Sequence, residues 1–159
     1  MRSDSGAGET SCQSAGRQTA VIRFPVSDPV VVLDSGVIDQ AIANPEFRWV
    51  LRDLVEDGWV PIIPTVVLSE AITGRPQDAP VNQVVNRLGT VDTTRATARR
   101  AGHLRFSVQR SGVRRIPSGI DAIVAAHAAD AGSGVVFSTD PTDLRRLLSE
   151  LPRIKVEKP

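Results

Sequence analysis

Four acids in this sequence border apolar runs instead of lying in polar loops: Asp34, Glu70, Asp121 and Asp140. Asp34 directly follows Val30-Val31-Val32-Leu33, and Asp140 closes Val135-Val136-Phe137-Ser138-Thr139. Asp121 stands three residues after Ser118 and Glu70 five after Thr65, each near the head of a helical stretch. Carboxylates brought within about 5 Å of one another repel by roughly 3 kcal/mol per pair at an effective dielectric near 20, so a cluster of four requires cations or raised pKa values. No lysine or arginine adjoins Asp34, Glu70 or Asp121 in sequence. A hard divalent cation is the simplest answer, and oxygen-only ligands favour magnesium or manganese over zinc. Such sites cleave phosphodiesters by orienting the phosphate, generating hydroxide from bound water and stabilising the leaving oxygen.

Each acid also has a structural use. Ser118 and Asp121 have the spacing of a capping box, and Asp140-Pro141-Thr142-Asp143 reads as an N-cap, an N1 proline and a first-turn acid. Asp34 can cap the helix that follows it, and Glu70 taken alone is a solvated helix residue. The four acquire a joint meaning only if the fold brings them together.

The elements around them suggest that it does. The β-branched run at 30–33 suits a strand buried on both faces. Helical patterns follow at 37–43 and 47–57, separated by Asn44-Pro45 and stopped by Gly58. Residues 59–63 form a second strand, marked by Pro61 as a poor candidate for the sheet's centre. Thr65 caps a helix over 65–73, another covers 79–87, and 88–91 is a third strand. Helices at 93–109 and 118–130, the latter closed by Gly132, lead to a fourth strand at 135–137, a helix at 142–150 and a fifth strand at 154–156. Strands alternating with helices imply a parallel sheet covered on both faces, an α/β fold. Strand ends and following helix starts then share one edge of the sheet, where ligands collect. Asp34, Glu70, Asp121 and Asp140 all belong there, with Asp143 as a fifth acid.

Composition narrows the alternatives. At 159 residues, 41% hydrophobic and 23% charged, the chain has the size and balance of one globular domain. No apolar run approaches the roughly 20 residues that span a bilayer, and residues 1–20 lack a signal-peptide core, so a cytoplasmic location is expected. One cysteine, Cys12, and two histidines, His103 and His127, exclude an internal disulfide and a four-ligand Cys/His zinc site. Residues 1–27 have the composition of a disordered tail, with 20–26 as a short extended segment; the domain is expected over 28–159. The formal net charge is only +1, yet Arg95, Arg99, Arg100, Arg105, Arg110, Arg114 and Arg115 follow one another without an intervening acid. Such a field favours contact with a polyanion, and Arg95, Arg99, Arg100, Arg114 and Arg115 are expected to touch RNA.

The ordered set Val-Val-Leu-Asp34-Ser-Gly, Pro64-Thr-Val-Val-Leu-Ser-Glu70, Ser118-Gly-Ile-Asp121-Ala-Ile-Val-Ala-Ala-His-Ala and Val135-Val-Phe-Ser-Thr-Asp140-Pro-Thr-Asp143-Leu resembles the PIN domain, specifically VapC-type toxin nucleases. The resemblance runs from about residue 28 to the C-terminus. It implies a three-layer α/β/α domain with a parallel sheet of strand order 3-2-1-4-5, metal-dependent endoribonuclease activity, and pairing with a small antitoxin. It further implies that Asp34, Glu70, Asp121 and Asp140 are catalytic acids that bind magnesium or manganese, joined less firmly by Asp143, with Ser138 or Thr139 supporting them. A homodimer is expected, with surface around Trp49. His127 and His103 read as structural, and Trp49 and Trp59 as packing in the core or a dimer face.

Rival functions make separate demands. A receiver-type phosphoacceptor could use Asp92 and Lys155, but needs a second acid beside Asp34, where Ser35 and Gly36 stand. A non-catalytic RNA- or protein-binding module of the same fold would have no use for four acids. Cleavage of structured DNA is a third possibility.

Overall fold

The computed structural model describes residues 28–159. The tail expected over 1–27 lies outside them. Among the described residues a four-stranded parallel sheet has the order β2-β1-β3-β4, built from β1 (Val30–Leu33), β2 (Val60–Ile62), β3 (Gly134–Phe137) and β4 (Ile154–Glu157). Between them run α1 (Ser35–Ala43), α2 (Pro45–Glu56), α3 (Leu68–Ala71), α4 (Ala79–Leu88), α5 (Arg95–Arg110), α6 (Gly119–Ala131) and α7 (Thr142–Leu147).

Every residue of β1 and β3 is buried, as a central strand sheathed by helices on both faces demands. β4 alternates buried and exposed residues, the pattern of a half-covered edge. Gly134 lets β3 lie close to β1: a Cβ there would meet the Val30 carbonyl and come within 2.8 Å of Val30 Cγ2. One apolar core joins the sheet to α1, α2, α6 and α7.

The expected third strand at 88–91 is not formed. Leu88 ends α4, Gly89 turns with φ +81°, and only Val91 reaches the sheet, as an isolated parallel bridge to Pro64. Val91 N donates to Ile63 O at 2.9 Å and Thr65 N to Val91 O at 3.0 Å, so the position expected for that strand, outside β2, is retained as a single residue. The same geometry explains Pro61. Val60 N points inward to Pro29 O, at 2.9 Å, so the next nitrogen faces away from β1, where its missing N–H breaks no ladder bond.

The helix at 65–73 is shorter than expected. Thr65–Val67 is a 3-10 turn without a side-chain cap, and α3 adds only four residues before the chain extends at Ile72. α7 likewise stops at Leu147 instead of reaching 150. No helix among the described residues is long and apolar enough to cross a membrane.

Candidate active site

The site begins with the ladder between β1 and β3. Asp34 N donates to Phe137 O at 3.2 Å, and Ser138 N donates to Glu157 O at 3.1 Å, so the residues just past β1 and β3 are held side by side at the carboxyl edge. There the Ser138 hydroxyl, fully buried, donates to Asp34 Oδ2 at 2.7 Å. The other carboxylate oxygen, Oδ1, accepts from Ser35 N at 2.8 Å and caps α1. Both oxygens of Asp34 are thus fixed, and the carboxyl group is buried.

Ser35 carries the arrangement outward. Its hydroxyl donates to Glu70 Oε2 at 2.8 Å, orienting an exposed carboxylate toward the buried one. Asp121 enters from the first turn of α6 through a capping box: Ser118 Oγ accepts from Asp121 N at 3.0 Å, and Asp121 Oδ2 accepts from Ser118 N at 3.2 Å. Capping therefore positions Asp121 without turning it away from its neighbours. Burial pushes the Asp34 carboxyl above the usual aspartate range; the bonds from Ser138 and Ser35 pull it down, and the charges of Asp121 and Glu70 push it up again. Asp121 and Glu70 are therefore near enough for their charges to bear on Asp34.

Asp140 stands one step further out. Its backbone N–H donates to Ser138 Oγ at 3.1 Å, so Ser138 links it to Asp34, while its own carboxylate is exposed. It is not the cap of α7, as its sequence context suggested; the capping position falls on Pro141. Asp143 is occupied differently, with Oδ1 2.8 Å from Arg146 Nη1 in an i,i+3 ion pair. Thr139 lies against Gly36, where an added Cβ would collide with its hydroxyl and come within 3.3 Å of its methyl group. That contact joins the turn after β3 to the start of α1.

As placed, no group of three or more acids, histidines or cysteines among the described residues is set to hold a metal ion. The donor set is nevertheless of the right chemistry: oxygen only, and charged. No ion pair to lysine or arginine neutralises Asp34, Glu70, Asp121 or Asp140 among the described residues, whereas Asp143 and Asp130 have Arg146 and Arg100. A magnesium ion keeps several waters and needs only one or two direct carboxylates, so an open set of this kind fits it.

The arginines separate into two groups. Arg100 pairs with Asp130 at the end of α6, and Arg105 Nε donates to Pro117 O at 3.0 Å just before α6 begins; both help pack α5 against α6. Arg95, Arg99, Arg114 and Arg115 are exposed, and their side chains make no ion pair or hydrogen bond among the described residues. His127 is buried, its ring 3.4 Å from the Thr93 hydroxyl; burial holds its pKa down, against the pull of Asp130. Trp59 is partly buried against the core, but Trp49 is 58% exposed and packs in no core. Asp92, the acid a phosphoacceptor would use, is exposed and is not among the charges Asp34 feels.

Two features are not singled out by the sequence alone. Ser35 ties two acids together, and its position next to Asp34 was the available signal. Asp78 is buried and accepts from Thr73 N at 2.9 Å, Gly74 N at 2.6 Å, Arg75 N at 3.1 Å and Thr73 Oγ1 at 2.9 Å, which ties the loop between α3 and α4 into a knot. Burial raises its pKa, but these four bonds outweigh that and hold it below the ordinary range.

No protein-family model and no curated protein matches the chain. Among solved structures, a chain of VapBC2 from Rickettsia felis, crystallised with a DNA fragment from its promoter, superposes with a TM-score of 0.62 at 18% identity, over 81% of this chain and 98% of that one. A chain of DNA-bound VapBC from Salmonella typhimurium gives 0.60 at 20% identity, over 82% and 98%. VapBC-1 from nontypeable Haemophilus influenzae gives 0.60 at 14%, over 81% and 97%. At such identities the likeness is one of fold. This chain has the PIN-like α/β fold shared with the VapBC structures.

Proposed function

We propose that this protein is a divalent-metal-dependent endoribonuclease of the VapC toxin type, with magnesium or manganese as cation and RNA as substrate. One observation carries the reading. A buried carboxylate, Asp34, is clamped on both oxygens and faces the uncompensated charges of Glu70 and Asp121. Acids that bear on one another without a basic partner set up a demand for positive charge.

Asp34 and Asp121, with Glu70 and Asp140 around them, would hold the cation. When bound, it would supply neutralisation of the phosphate charge and a more acidic water. The chain's own contributions are positional. Ser138 and Ser35 keep Asp34 in one rotamer, Ser35 restrains Glu70, and Ser118 restrains Asp121. The amino ends of α1 and α6 carry partial positive charge to the same edge, which favours a phosphate there. Asp143 is paired with Arg146, which would compete with a cation for its carboxylate.

The same reading assigns a protein partner to α2. Trp49, Val50 and Val55 are exposed beside a concavity of about 610 Å³ that also takes in Val84 and Leu88 of α4. An antitoxin segment, or a second copy of the chain in a homodimer, would cover this surface.

The test uses purified protein with single-stranded RNA and single-stranded DNA of one sequence, with magnesium or chelator. Cleavage of RNA alone, abolished by chelator and by Asp34→Asn, is expected. Chelator-insensitive cleavage, or preference for DNA, would overturn the assignment.

A further inference from the structure

The outward face of α5 is built against its own stability. Thr97, Ala101 and Val108 are its buried residues, at the spacing of one helical stripe against α6. Opposite them Arg95, Arg99, Gly102, Phe106 and Arg110 recur every three or four residues, all exposed. Arg95 occupies the first turn with no acid in that turn, so a positive charge sits on the positive end of the helix dipole. Arg95 and Arg99 are like charges at i,i+4. Gly102 stands in mid-helix with a helical φ and open space beyond it, where alanine would stabilise the helix. Phe106, 58% exposed, has the Arg110 guanidinium 5.9 Å from its ring centre. Several departures from helix stability on one face mark a face selected for something else.

From this face we infer a binding track for single-stranded RNA, with Phe106 as the platform on which a base stacks. The inference rests on the ribonuclease reading and narrows its substrate to unpaired strands. Arg95, Arg99 and Arg110 supply the charge that follows a phosphate backbone. Gly102, one turn before Phe106, leaves bare backbone and open space on its side of the ring, while Arg110 lies by the ring and can pair with the phosphate of a stacked nucleotide. Paired bases hide their faces in the stack, whereas an unpaired base offers one to an aromatic ring. Arg105, next to Phe106, bonds Pro117, which abuts the Ser118 cap of the acid-bearing helix. That bond holds the C-terminal half of α5 beside the start of the acid-bearing helix. A second copy of the chain fits this face poorly: a two-fold contact would set the arginine stripe of one copy against that of the other.

The experiment is fluorescence anisotropy in chelator, so that no cleavage intervenes, with a labelled oligoribonucleotide of about a dozen nucleotides, within the range of single-strand site sizes. The same strand annealed to its complement is the comparison. Phe106→Ala should weaken single-strand binding about ten-fold or more and duplex binding hardly at all; Phe106→Trp should preserve it and Phe106→Leu should not. Replacing Arg95 and Arg99 by Gln should flatten the salt dependence of binding by roughly 0.7 for each phosphate no longer neutralised. Unchanged affinity in Phe106→Ala, equal losses on both substrates, or loss of a dimer without loss of RNA affinity would overturn the track. Magnesium-dependent cleavage that ignores Phe106 would remove the track and leave the nuclease; Phe106-dependent binding without any cleavage would do the reverse.

Discussion

Replacing Ser138 by alanine should weaken the fold and the site together. Its hydroxyl is fully buried, donates to Asp34 Oδ2 at 2.7 Å and accepts from Asp140 N at 3.1 Å. Alanine deletes both bonds and leaves a buried carboxylate oxygen short of a donor. A hydrogen bond to a charged group contributes about 1.5–3 kcal/mol, so a loss near 2 kcal/mol at neutral pH is expected. In a domain of this size that lowers Tm by roughly 4–8 °C. Removing the bond also takes away one influence that holds the Asp34 pKa down, so its carboxyl should titrate higher in the variant. The penalty should shrink in acid, where Asp34 is protonated and a neutral oxygen needs the donor less. Urea unfolding at two pH values, run as a double-mutant cycle with Asp34→Asn, measures this. Coupling of about 1 kcal/mol or more is expected. Additive effects, or a Ser138→Ala penalty below about 0.5 kcal/mol, would show that Ser138 merely fills space.

Further expectations rest on individual contacts. Because the folded-state pKa of Asp34 is raised, the unfolded chain ionises this group first as pH rises from the ordinary aspartate value of 3.8, and stability falls across that interval. Asp34→Asn removes the titrating group, so the fall in stability as pH rises above 3.8 should be smaller in the variant than in wild type without metal; the same pH dependence in both would contradict the burial account. Asp78 has the opposite sign. Its depressed pKa contributes stability above the unfolded value that is lost as pH falls through the folded one. Asp78→Ala removes every acceptor in the knot and should open the loop around Gly74 and Arg75 to limited proteolysis at neutral pH; an unaltered digestion pattern would count against the knot. Gly36→Ala drives a methyl group into Thr139 and should cost about 1 kcal/mol or more. Restoration by an added Thr139→Ala would confirm the contact, and failure to restore would place the strain elsewhere.

Much of this was readable before folding. A continuous β-branched run followed by an acid, at Val30–Leu33 and Asp34, has few structural solutions, and the capping signals at Ser118 and Gly132 act locally, as the structure bears out. Parallel topology then sent the acids to one edge. What remained hidden depended on partners distant in sequence. The third strand failed because α4 continues to Leu88 and Gly89 turns the chain, leaving one residue to pair. Asp140 reads as a cap by sequence, but its N–H is drawn to Ser138, whose hydroxyl is fixed by Asp34 more than a hundred residues away. The seven arginines look uniform in sequence; Asp130 and the Pro117 carbonyl, both from outside α5, decide which are structural. Trp49 is apolar, yet its position on α2 faces away from the sheet, a matter of helix rotation that no single residue announces.

The central claim is that carboxylates at the sheet edge act on a phosphodiester, and Asp140 isolates it. This residue is exposed and does not cap α7, so Asp140→Asn should leave the fold intact. If the carboxylate helps hold the cation, losing its charge should slow magnesium-dependent cleavage of single-stranded RNA on the order of a hundredfold. Rates for wild type and Asp140→Asn, compared at equal thermal stability, decide the matter: a large fall in rate is predicted, and equal rates would contradict the account.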